Sequence, residues 1–181
     1  MSQQDDDLRD ELTETAFHEA CHFVMGRLAK GGLPRKVSIL REGNDAGFCG
    51  GCPALPRYPG YAALFCLAGV FAEEVIIGGA IDPAQVDMEG AKDELQQGYG
   101  EAWEREYDKY QDFTFKLLSY TGPRRAIQAV AEYLLDNPNL ELEAVYPLVD
   151  LAEKAIGRRL RWLEQQVTAF VEGGASCQHG H

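Results

Sequence analysis

His18 and His22 stand four residues apart in Ala16-Phe17-His18-Glu19-Ala20-Cys21-His22, a complete H-E-x-x-H pattern. On a helix that spacing puts both imidazoles on one face, within reach of one metal ion. Glu19 falls one residue round from them, where its carboxylate can take a proton from a water that the metal activates. Residue types and spacing therefore point to zinc-assisted hydrolysis of an amide, with Glu19 as general base.

A catalytic zinc usually takes three protein ligands and leaves one position open. The chain has four histidines, and the other two, His179 and His181, lie at the C-terminus. The longer H-E-x-x-H-x-x-G-x-x-H pattern is excluded, because Leu28 occupies its third histidine position and Gly26 falls one residue late. The third ligand must then be a carboxylate or a thiol. Glu42 follows a predicted strand, Glu73 and Glu74 interrupt an apolar helix where an unpaired carboxylate is costly, and Asp87 follows a marked helix start. The coordination rule alone does not choose among these carboxylates.

The elements that must position these groups are mostly helical. Apolar residues at three- and four-residue intervals predict a helix from about Leu8 to Ala29, with the histidines in its second half and the acidic residues 1 to 7 as a frayed lead-in. Lys36 to Leu40 is β-branched and reads as a strand, and residues 46 to 49 as a weaker one, together a small hairpin or sheet. A buried helix is expected from about Gly60 to Ile77. Asp82 as N-cap, Pro83 at the first position and Gln85 at the capping-box position start another helix, running to about Gln97 and carrying Asp87. Helices are then expected at 101 to 119 and 124 to 135, with Gly122-Pro123 as a break, and over 140 to 171 with a bend near Pro147. The expected fold is mainly α (α+β), a helical zincin-like metallopeptidase core with a small β-hairpin or sheet and a helical C-terminal half. It forms one domain over 1–181, with the core at 8–97, the helical subdomain at 98–172 and a disordered tail at 173–181.

A net charge of -12 and a pI near 4.7 argue against a nucleic-acid binder or a surface drawn to anionic lipid. The N-terminus carries no signal-peptide pattern. The longest apolar run, Tyr61 to Ala72, is too short to cross a bilayer, so a soluble protein without a membrane span, in the reduced cytoplasm, is expected. The cysteines are odd in number: Cys21, Cys49, Cys52, Cys66 and Cys177. Cys49 and Cys52 form a C-x-x-C without the second pair that a structural zinc site requires, and are read as loop thiols. The aromatic residues of the second half fall at helical spacing and are read as packing.

Four segments in order resemble the peptidase domain of the FtsH-type ATP-dependent zinc proteases. They are Thr15 to His22, Leu33 to Gly43 with Ala46-Gly47-Phe48, Leu67 to Gly78 with Ala72-Glu73-Glu74, and Val86 to Ala91. The resemblance covers about residues 13 to 97. It implies that His18 and His22 are zinc ligands, Glu19 the general base and Asp87 the third ligand, with Glu73 and Glu74 as supporting groups or alternative ligands. It also implies that Val37, Ser38, Ile39 and Leu40 lie along the cleft and can hold a peptide by strand addition. Cys21 stands where glycine is usual, and the segment leading to Asp87 differs from the family's.

No G-x-x-x-x-G-K-[ST] occurs, so a peptidase domain standing alone, without the ATPase module, is expected. The expected activity is zinc-dependent cleavage of peptides or unfolded polypeptides, with a separate ATPase or protease as a candidate partner and homo-oligomers allowed. The alternative is a weakly active or inactive metal-binding module that regulates a larger protease or serves as its adaptor. Hydrolysis of a non-peptide amide ranks third.

Overall fold

The computed structural model describes residues 3–29, 34–41, 47–50, 59–78 and 83–175. Its helices are α1 (Gln3–Leu28), α2 (Pro59–Phe71), α3 (Pro83–Tyr99), α4 (Trp103–Leu118), α5 (Thr121–Asp136), α6 (Tyr146–Ile156) and α7 (Leu160–Ala175). Three short strands, β1 (Lys36–Ser38), β2 (Phe48–Gly50) and β3 (Asn139–Glu141), form one antiparallel sheet in the order β2-β1-β3. The architecture is mainly α with a small sheet.

α1 starts earlier than its apolar periodicity predicts. Asp5, Asp6 and Asp7 fall in its opening turns. Further along, Ala16, Ala20, Phe23, Val24 and Leu28 are fully buried and pack against α2 and α5. α2 is the most apolar helix. It continues as a π-helix over Ala72–Ile77, ended by Gly78 in the left-handed region at φ 75°. In this segment Glu73 is buried and Glu74 exposed. Pro59–Ile77 is the one helix among the described residues that is long and apolar enough to cross a membrane, longer than its uninterrupted apolar run suggested. Most of it is buried within the protein, against α1, α3 and α4.

The C-terminal half departs most from expectation. Gly122-Pro123 does not break a helix but lies in the first turn of α5, where proline lacks only a donor that would be unpaired anyway. The predicted long last helix is divided. Its start is β3, where Leu140 is buried between exposed Asn139 and Glu141. Pro147 sits in the first turn of α6 instead of bending a helix. α6 ends at Gly157, whose φ of 66° and ψ of -142° suit glycine alone. Of the predicted tail, 173 to 175 are helical and 176–181 lie outside the described residues, as do Asp82, Glu42 and Cys52.

Candidate metal centre

α1 offers His18 and His22 from one face, one turn apart. α3 brings Asp87 to them from its second turn. His18 Nε2 and His22 Nε2 are 3.0 Å apart, and Asp87 Oδ2 is 3.1 Å from each. Three ligand-type atoms thus form a nearly equilateral triangle. Tetrahedral zinc with bonds of roughly 2.0–2.1 Å spaces its ligand atoms by about 3.3 Å. The triangle matches that to within a few tenths of an ångström, and two imidazoles with one carboxylate are a donor set that zinc accepts.

The outer ring nitrogens are engaged too. His18 Nδ1–H donates to Glu73 Oε1 at 2.9 Å, and His22 Nδ1–H donates to the carbonyl of Phe65 at 2.9 Å. Each bond fixes a tautomer whose Nε2 lone pair faces the other and Asp87. Two lone pairs and a carboxylate oxygen converging at 3.0–3.1 Å repel one another unless a cation lies among them. The phenyl ring of Phe65 stacks on His22, with centroids 4.7 Å apart, and holds the ring plane. Of the side chains, His22 is 6 % exposed, against 12 % for His18 and 16 % for Asp87, so the centre opens to solvent on the His18 and Asp87 side.

Without metal, a proton is the available cation. Burial, the largest influence, lowers the His18 pKa, but hydrogen bonds to Asp87 and Glu73 and the charges of Glu19 and Asp87 outweigh it and raise the value to about 10. Burial likewise raises the Asp87 pKa, and the charge of His22 and hydrogen bonds from both histidines bring it well below the usual carboxylate range. For metal-free protein, the stability from His18 is whole below its ordinary 6.5 and is lost as pH rises towards 10. That from Asp87 is whole above its ordinary 3.8 and is lost as pH falls below it. Thermal unfolding in chelator should therefore show greatest stability on the acid side of neutrality. Zinc, which competes with the His18 proton, should shift that optimum upward. An unchanged optimum would contradict the assignment of His18.

Glu19 is 4 % exposed and lies where β2 begins. A Cβ added at Gly47 would stand 2.5 Å from Glu19 Oε1 and 2.6 Å from Thr15 Cγ2, so the strand entry packs directly on the carboxylate. Glu73 is 3 % exposed and bonded to His18. Glu74, grouped with it in the sequence reading, is exposed, and its charge acts on Tyr107. The structure does not bring Glu74 to the centre. Cys21 is fully buried, and burial pushes its thiol far above the usual range, as expected of a packing residue.

The expected substrate strand needs correction. Val37 and Ser38 pair with β2 on one side and β3 on the other, and Ile39 N–H donates to the carbonyl of Pro138. β1 is the middle strand and has no free edge for a peptide. Leu40 lies beyond it, with its N–H on Ser38 Oγ. The strand whose entry packs on Glu19 is β2, through Gly47.

Sequence reasoning missed Phe65, Gly69 and Gly47. The signal for the first two was spacing: Phe65, Gly69 and Glu73 recur every four residues, one stripe of α2 and its π continuation.

No family model matches the chain. Among curated proteins it is similar to the ATP-dependent zinc metalloprotease FtsH 3 of Conexibacter woesei, with 28 % identity over 173 residues, covering 91 % of this chain. The similar region thus extends beyond residues 13 to 97 into the helical C-terminal half. The chain spans 22 % of the length of that relative. The likeness supports a relationship to FtsH and, at that coarse level, to the zinc metalloproteases.

Proposed function

We propose that the protein is a zinc-dependent metallopeptidase that cleaves peptides or unfolded polypeptides, with His18, His22 and Asp87 as ligands and Glu19 as general base. The observation that carries this reading is the triangle of ligand atoms at 3.0–3.1 Å, with both outer imidazole nitrogens engaged. Bound zinc would supply Lewis acidity, polarising the scissile carbonyl and making water acidic enough to react near neutral pH. Glu19 takes the proton as the water oxygen bonds to the carbonyl carbon. It then delivers that proton to the amide nitrogen, the C–N bond breaks, and a carboxylic acid, which keeps the second proton of the water, and an amine leave. Glu73 and the Phe65 carbonyl hold the imidazoles in the tautomer that leaves Nε2 free. β2 is the strand proposed to hold an extended substrate, since its entry at Gly47 packs on Glu19.

The substrates are proposed to be unfolded because a cleft read by strand addition accepts only extended chain; a separate unfoldase would widen that range. Treatment with chelator should abolish cleavage of an unfolded casein, and one equivalent of zinc should restore it, while a compact folded protein stays intact throughout. If zinc-loaded protein leaves every unfolded substrate uncut, the adaptor or regulator reading takes precedence.

A further inference from the structure

Helix α2 and its π continuation supply none of the three proposed ligands, yet together they touch each of those residues. Phe65 accepts the Nδ1–H of His22, and one stripe further on Glu73 accepts that of His18. Midway between them is Gly69. A Cβ built there would fall on Asp87 Oδ2 and stand 2.8 Å from Asp87 Cγ and 2.7 Å from His22 Nε2. Gly69 has no positive φ, so the backbone does not demand glycine. Room does: the smallest side chain would occupy the space of the ligand atoms. Resting on the zinc reading above, we propose that Gly69 is a positioning residue that lets α2 approach until the Asp87 carboxylate and both Nε2 atoms converge on one ion.

The test uses the full chain. Gly69→Ala should lower zinc affinity by at least the roughly 10–100-fold typical of groups that orient metal ligands, and should alter or abolish the visible spectrum of the cobalt-substituted protein. Gly90→Ala is the control. It crowds the same α2–α3 interface, its Cβ meeting Cys66 Sγ at 3.2 Å, and should leave zinc affinity and the cobalt spectrum unchanged.

A cycle of Gly69→Ala, Asp87→Ala and the double variant, unfolded thermally in chelator, separates crowding from general damage. Alanine favours a helix interior over glycine, so without the clash the midpoint would rise. It should fall with Asp87 present, and most of that fall should vanish in the Asp87→Ala background. Should Gly69→Ala alone not fold, the double variant should recover folding. Wild-type zinc affinity and cobalt spectrum in Gly69→Ala, additive midpoints, or a double variant that stays unfolded would overturn the proposal. A wild type that binds no zinc would overturn the metal reading instead, and the metal-free cycle would still decide whether Gly69 makes room for Asp87.

Discussion

Glu19→Gln should lower kcat on an unfolded polypeptide by about 10²- to 10⁴-fold, the range for loss of a positioned general base, with one zinc per chain retained. The substitution keeps shape and removes the proton acceptor. Glu19 sits on the α1 turn that carries both histidines and is 4 % exposed, so its position is set by packing. Its charge reaches His18, while the side chains grouped closely enough to hold an ion are His18, His22 and Asp87. KM should change little, because the role proposed for Glu19 is proton transfer and not substrate binding. Steady-state kinetics beside metal analysis reads both quantities. Equal kcat for wild type and variant would remove Glu19 from the chemistry.

Asp87→Ala has the second largest expected effect. It removes one of the three proposed ligands and should cost far more zinc affinity than the roughly 10–100-fold expected when an orienting group is lost, with activity following the metal. Glu73→Gln should cost only that smaller amount, because an amide oxygen can still accept from His18 Nδ1 but no longer bears a charge. The contrast separates the two carboxylates that the sequence alone left as candidates. Competition with a chromophoric chelator measures both affinities. A larger loss for Glu73→Gln than for Asp87→Ala would reverse their roles.

Residues whose relation is local were legible, and those defined by distant contacts were not. His18 and His22 share one helix, so a spacing of four was enough to place both imidazoles together. Asp87 is sixty-five positions from His22, and only the resemblance singled it out. Gly69 looked like an ordinary small residue in an apolar helix, because its role depends on how closely α2 approaches α3. Val37 to Leu40 is a substrate strand only by the resemblance, and strand addition there would need a free edge on the side away from 46 to 49. That edge is taken by Asn139–Glu141, a strand too short to carry a signal of its own. Gly157 was overlooked for a different reason. The apolar periodicity of 140 to 171 runs through it, and only its backbone angles show the helix ending there.

X-ray absorption at the zinc edge of the purified protein tests the central claim most directly, because it reads the identity and distance of the atoms around the metal. The predicted result is one zinc per chain in a shell of nitrogen and oxygen at about 2.0–2.1 Å, with an imidazole signature that weakens in His18→Ala. A sulfur shell near 2.3 Å, or a spectrum unchanged by His18→Ala, would contradict it.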